Sequence, residues 1–374
     1  MASPCCNDTC CKKQLVDDIA GWIKIYDHGT VERPAPPPEA QQLATSISPY
    51  DVPCNGVTVH DIPADPPLRL YLPAAAPLNG RRLPVLLHFH AGSFCISDPT
   101  WKMYHSFYAR LAASIPVAGI VSIALPLAPE NPLPAAIAAG YSAIDWLKSL
   151  ARSVLPNEPV PEPTYDPVNR LRDVADLSRV FLIGDSNGAN LALQVAAGFS
   201  SAEPGYWGPV RLAGAILLNP GFTRSAPSRS ESTDPMNRYM NRELVGRFLK
   251  LALPEGATRD HPYIWPVVDG AAAVPPLLVS IAMLDSLRDR QVEYCNAMRR
   301  AGKHVEVALS AGVDHIFYLK HGLVDSEPEN DETAARIAEL TTGKKLSAVH
   351  GSLPCASSAL CRAEVLCRAP RARQ

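Results

Sequence analysis

Val180-Phe181-Leu182-Ile183-Gly184-Asp185-Ser186-Asn187-Gly188-Ala189-Asn190, followed by Leu191-Ala192-Leu193-Gln194-Val195-Ala196-Ala197, decides the reading of this chain. An apolar run rich in β-branched residues ends in Gly-x-Ser-x-Gly, and a helical pattern begins at once. That order is strand, tight turn, helix, with Ser186 on the turn and its hydroxyl exposed. The glycines at 184 and 188 are required because side chains two residues either side of the serine would collide across the turn. The helix that starts after Ser186 directs its positive end at the reacting centre. Gly-x-Ser-x-Gly alone recurs by chance, and the strand–helix setting is what gives it weight.

Outward from this stretch the same alternation repeats. Short apolar runs at 84–90, 118–125, 180–184, 212–219 and 276–283 suit strands buried on both faces. Helical stripes lie between them at 135–150, 191–199 and 288–301. Strands alternating with helices predict an α/β fold with a mostly parallel, doubly wound sheet. Before the sheet, residues 15–25 read as an amphipathic helix, and 237–257 read as a helical insertion between sheet elements. Insertions of this kind commonly cover a site and select its ligand. The proline-rich stretches 34–40 and 156–167 read as extended connections.

A serine hydroxyl is a weak nucleophile without a base and a third, orienting group. Downstream of the buried run 276–283, Asp285 stands at the C-terminal end of a strand, where sites form in open α/β sheets. After the β-like run 304–310, His315 falls on the following loop. The chain order Ser186, Asp285, His315 is the serine–acid–histidine order of α/β-hydrolases. Asp289 and Asp314 are competing acids. Asp314 adjoins His315, which seldom gives a facing geometry, and Asp289 reads as charge support at a helix start. His304, His321 and Asp185 read as structural, Asp185 through bonds to a lid or to backbone.

Acyl transfer also needs donors for a developing oxyanion. The strand 84–90 runs into Ala91, Gly92 and Ser93, whose backbone N–H groups, with that of Asn187, would supply them. A metal held by His88 and His90 lacks a third ligand, so neither metal nor cofactor is expected.

Together His90-Ala91-Gly92-Ser93-Phe94, the stretch 127–136 (LAPENPLPAA), Gly184–Asn190, Leu284–Asp289 and Asp314–Leu319 resemble the plant carboxylesterase branch of the hormone-sensitive-lipase-like α/β-hydrolases. The resemblance spans about residues 16–340. It implies an α/β-hydrolase fold with N-terminal cap or lid helices and esterase activity on small organic esters or lactones. It also implies a Ser186–Asp285–His315 triad and an oxyanion hole at Ala91, Gly92, Ser93 and Asn187. The usual His-Gly-Gly-Gly-Phe here carries Ala91 and Ser93, and the usual glycine after the turn is Ala189. A Cβ at 91 or 93 is a strain of about 1–3 kcal/mol if the backbone there is left-handed. Two sibling activities share the scaffold: gibberellin receptors, which lack the triad histidine, and isoflavanone dehydratases, in which a hydroxyl in the oxyanion loop assists elimination.

Composition sets the limits. The chain has 374 residues, 47% hydrophobic and 19% charged, enough for a large core. With 35 Lys+Arg against 37 Asp+Glu the net charge of −2 disfavours nucleic acid and anionic membranes as partners and suits an uncharged organic ester. The first residues lack an apolar segment, and no apolar run is long enough to span a bilayer, so a soluble cytoplasmic protein is expected. Seven of the 10 cysteines crowd positions 5–11 and 355–367, a distribution that suits exposed thiols better than a disulfide framework. The expected domains are an extension and cap over 1–50, the hydrolase domain over 51–340, and a disordered, basic, Cys-containing tail over 341–374. Oligomeric state is left open.

Overall fold

The computed structural model describes residues 13–75, 80–151, 166–233, 241–267, 273–320 and 328–343, the last from 332 onward for side chains. The tail beyond 343, the terminal cysteine clusters, His321 and most of the proline-rich stretch 156–167 lie outside them.

The chain begins with a small antiparallel sheet of β1 (Leu15–Ile19), β2 (Ile23–Tyr26) and β3 (Val31–Glu32). Residues 15–25 are therefore a hairpin and not the expected helix. Ala20 and Gly21 take left-handed φ of 48° and 74°, which no helix accommodates, and Asp18 Oδ1 accepts the Gly21 N–H at 2.7 Å to fix the turn. The pairing sets Asp18 opposite Lys24 and buries Ile19 and Ile23. The apolar spacing taken for a 3.6-residue period is two short alternating strands. The proline-rich stretch 34–40 likewise ends in a single helical turn, α1 (Pro38–Gln41), where proline at the first position loses no hydrogen bond.

The main sheet takes its strands in the following chain order: β4 (Tyr50–Cys54), β5 (Val57–Ile62), β6 (Leu68–Pro73), β7 (Leu83–Phe89), β8 (Gly119–Ile123), β9 (Ala175–Asp185), β10 (Leu212–Leu218), β11 (Leu277–Ala282) and β12 (Val305–Ser310). Their spatial order is β12-β11-β10-β9-β7-β8-β6-β5-β4. The six strands from β12 to β8 are mutually parallel, and β6, β5 and β4 continue the sheet antiparallel. The helices between them are α2 (Lys102–Ser114), α3 (Ala135–Leu150), α4 (Pro167–Val174), α5 (Asn187–Ser200), α6 (Arg229–Thr233), α7 (Arg242–Ala252), α8 (Arg288–Arg300), α9 (Phe317–Lys320) and α10 (Pro328–Thr342).

Strand side chains divide by parity. Val85, Leu87, Val180, Leu182, Ala215 and Leu217 join one core with α3, α5 and α8, while Leu86, Phe181, Ile183, Ile216 and Leu218 join the other with α2 and α9. Burial on both faces is what the continuous apolar runs require. The expected doubly wound α/β-hydrolase sheet is the architecture found.

The insertion between β10 and β11 holds α6 and α7. Asn241 caps α7 by accepting the Leu244 N–H at 2.8 Å, and Phe248, Leu249 and Ala252 bury its inner face. Arg247 of α7 bonds Asp17 and donates to the Asp18 carbonyl at 2.9 Å. The hairpin and the insertion are thus joined over the C-terminal ends of the parallel strands.

Candidate active site

β9 ends at Asp185 and α5 begins at Asn187, which leaves Ser186 alone on the turn at φ 51°, ψ −119°. The two glycines are obligatory on distance. A Cβ on Gly184 would stand 2.3 Å from the Gly188 carbonyl oxygen, and one on Gly188 would stand 2.1 Å from that of Phe89. The turn is pinned from β10, because Ser186 N–H donates to the Leu218 carbonyl at 2.9 Å and Gly221 N–H donates to the Ser186 carbonyl at 2.9 Å.

Asp285 follows β11 and His315 follows β12, and the structure brings both to Ser186. His315 Nε2 lies 2.8 Å from Ser186 Oγ, and its Nδ1 lies 2.7 Å from Asp285 Oδ2. A carboxylate can only accept, so Nδ1 carries the proton and Nε2 offers its lone pair to the serine hydroxyl, an assignment made from the network. Asp285 is buried, and its oxygens also accept from Leu287 N–H at 2.9 Å and Gln291 Nε2 at 2.8 Å. Asn219, at the end of β10, accepts the Ile316 N–H at 3.2 Å and steadies the histidine loop.

The competing residues are engaged elsewhere. Asp289 accepts from Ser230 N–H at 2.8 Å, and Asp314 pairs with Lys320 at 2.7 Å. The His304 carbonyl accepts the Leu277 N–H at 3.0 Å. Among the described residues the Asp185 carboxyl meets neither lid nor backbone. Its carboxyl, fully buried, is bonded by His88 Nε2 at 2.7 Å, Tyr108 OH at 2.8 Å and Tyr318 OH at 2.8 Å. Burial beside this carboxyl holds both phenols well above their ordinary pKa, so they remain donors.

The loop after β7 runs alongside. Gly92 has φ 113°, and a Cβ there would stand 2.0 Å from the Ile96 carbonyl oxygen, so glycine is mandatory. Ser93 takes a left-handed φ of 52°, the strained case, whereas Ala91 stays out of that region. His90 anchors the loop: Nε2 accepts the Leu125 N–H at 3.4 Å, and Nδ1 therefore donates to the Ala91 carbonyl at 2.8 Å. Burial pushes the His90 pKa down to about 4, so the ring is a neutral structural link. Arg33 clamps the far side of the loop, donating to the Cys95 carbonyl at 3.0 Å and the Ala128 carbonyl at 2.7 Å while pairing with Glu130 at 2.6 Å. Spacing gave no sign of Arg33, Asn219 or Tyr318, since each acts across the fold from a distant segment, nor of Gln291, which also donates to the Pro220 carbonyl at 3.0 Å.

Ser186 and His315 open on a cavity of about 620 Å³, which Ala91, Gly92, Ser93 and Asn187 also line. Among the described residues no cluster of three His, Cys, Asp or Glu is placed to hold a metal, and no helix is long and apolar enough to cross a membrane. Cys95 and Cys295 are buried, with thiols pushed up to about 12, and both read as inert packing.

The chain is 33% identical over 315 residues to "Probable carboxylesterase 6" of Arabidopsis thaliana, which covers 82% of this chain and 85% of that one. It is 32% identical over 329 residues to "2-hydroxyisoflavanone dehydratase" of Glycyrrhiza echinata, covering 84% of this chain and 93% of that protein. Its fold superposes on a thermostable esterase from Pseudomonas putida with a TM-score of 0.63 at 22% identity, covering 79% of this chain and 86% of the other. The family model for the alpha/beta hydrolase fold known as Abhydrolase_3 matches residues 86–319, a span that takes in the turn at Ser186, Asp285 and His315, and the chain belongs to that family.

Proposed function

We propose that this protein is a serine carboxylesterase acting on small organic esters through an acyl-enzyme. Ser186 attacks the ester carbonyl, and His315 Nε2 takes its proton and returns it to the leaving alcohol. Asp285 holds the ring with Nδ1 protonated and stabilises the imidazolium. The N–H groups of Gly92, Ser93 and Asn187 receive the oxyanion, with Ala91 shaping the loop that carries them. Water then cleaves the acyl-enzyme by the same route.

The observation that carries this reading is the continuous chain Asp285–His315–Ser186 at 2.7 and 2.8 Å, opening on a cavity of about 620 Å³. A receptor that only binds has no use for a histidine set on the nucleophile in this way. The β1–β2 hairpin and the α6–α7 insertion serve as the cap over a hydrolase domain of about residues 51–340. A second chemistry, elimination of water, draws support from the Ser93 side chain in the cavity wall and from the dehydratase relative. The test is hydrolysis of p-nitrophenyl acetate by the protein and by Ser186→Ala. The reading requires loss of nearly all activity in the variant, and equal rates would refute it.

A further inference from the structure

The cavity over Ser186 has two unlike sides. Trp22 and Trp101, stacked with centroids 6.2 Å apart, line it with Met103, whereas Glu231, Arg242 and Arg259 line it from the insertion. The charges on that second side do not balance. Glu231, almost wholly buried, is bonded by Arg242 Nη1, Thr223 Oγ1 at 2.7 Å and Ser228 N–H at 2.8 Å, and Arg290 Nε stands 3.7 Å away. Arg242 is used up, since its Nη2 donates to the carbonyls of Arg224 and Ser225 at 2.7 Å each.

Arg259 differs. Its Nη2 donates to the Arg242 carbonyl, and among the described residues no carboxylate lies within ion-pair distance of it. The adjacent Asp260 is held by Arg224 at 2.9 Å. Room for the guanidinium is kept by Gly246, where a Cβ would come within 2.7 Å of Arg259 Nη2. Burial and the neighbouring Arg242 cation push the Arg259 pKa below its ordinary value, against a smaller opposing pull from the Glu231 carboxylate. The other ionisable side chains lining the cavity are Tyr104, whose hydroxyl bonds Ser97 Oγ at 2.8 Å, Glu39, on exposed α1, His315, and Lys320, which Asp314 already pairs at 2.7 Å.

We propose that Arg259 is the specificity residue for a carboxylate on the substrate, so that the ester brought to Ser186 is a carboxylate-bearing one with an apolar or aromatic body. The planar guanidinium fork matches a carboxylate in two parallel hydrogen bonds, and a half-buried cation gains most from an anion that shares its site. The Trp22–Trp101 side takes the apolar part. One charged group on a small ester is compatible with the near-neutral chain, which bears on polyanionic partners rather than on a monocarboxylate. This inference rests on the esterase reading for which cavity the substrate enters.

Binding without chemistry separates the two claims. Calorimetry on Ser186→Ala with 4-phenylbutyrate and with 4-phenylbutanamide compares an acid with its neutral isostere. The acid is expected to bind about tenfold or more tightly than the amide, the ratio for a charge-assisted hydrogen bond. Adding Arg259→Gln should bring the acid-to-amide ratio close to one, and Arg259→Lys should restore part of it. Equal binding of acid and amide, or a preference that survives Arg259→Gln, overturns the proposal. Failure of the unmodified protein to hydrolyse any ester would overturn the esterase reading alone, because the binding ratio needs no turnover.

Discussion

Tyr318 OH donates to Asp185 Oδ1 at 2.8 Å, which ties the residue before Ser186 to a helix that begins two residues after His315. Asp185 Oδ2 takes Tyr108 at 2.8 Å and His88 at 2.7 Å, and His88 Nδ1 reaches Ser122 Oγ at 2.6 Å. The turn, the histidine loop, α2 and β8 are therefore joined through one buried carboxyl. Such a network sets the Ser186–His315 distance from beneath rather than by contact with substrate.

Removing one donor tests that role. Tyr318→Phe leaves a lone pair of a buried carboxyl unfilled, which costs about 1–3 kcal/mol of stability. The expected result is a lower melting temperature together with a reduced kcat for p-nitrophenyl acetate and little change in KM. A kcat equal to that of the parent would show that Tyr318 supports the fold and not the spacing of the site.

Ser93 sits at φ 52°, a conformation that disfavours any residue with a Cβ by about 1–2 kcal/mol. Ser93→Gly is expected to raise stability by about 1 kcal/mol, less what the added freedom of the unfolded chain removes. Esterase activity should be kept or increased, because the proposed oxyanion donor is the backbone N–H. Dehydratase activity, if present, should disappear with the hydroxyl. Chemical denaturation and product analysis on the same variant read both effects.

His90 gives a signed dependence on pH. Its pKa falls from 6.5 to about 4 on folding, so between those values the unfolded chain binds the additional proton. The stability that His90 contributes is complete above pH 6.5 and is lost as pH drops towards 4, by roughly 2 kcal/mol at pH 5. His90→Gln can still donate to the Ala91 carbonyl and accept from Leu125, without titrating. Urea midpoints from pH 7 to 5 should fall less steeply for the variant than for the parent, and parallel slopes would contradict the assignment.

Much of this molecule was legible in the chain, for definite physical reasons. Residues 180–190 encode strand, turn and helix locally, and each glycine there answers a backbone contact that the motif already implies. Ser186, Asp285 and His315 could be ordered because each follows an apolar strand. Residues 15–25 misled because Leu15, Ile19 and Ile23, spaced i, i+4 and i+8, satisfy a helical stripe as readily as two short strands. Only the left-handed pair Ala20–Gly21 decides between them, and glycine was its sole trace. Strands β4 to β6 went unrecognised because Thr58, His60, Asp61 and Arg69 interrupt the apolar pattern of β5 and β6, and β4, the edge strand, is largely exposed. Arg33, Tyr318 and Asn219 escaped notice because their partners lie 61 or more positions away, at distances that only the folded chain closes.

Acyl transfer here requires Ser186 to be an activated nucleophile. A fluorophosphonate probe reacts with serines whose hydroxyl is engaged by a base, and tryptic mapping of the adduct locates the serine. A single stoichiometric adduct on Ser186 is expected, absent from Ser186→Ala and strongly slowed in Asp285→Asn. No adduct on the folded protein, or an adduct on another serine, would contradict it.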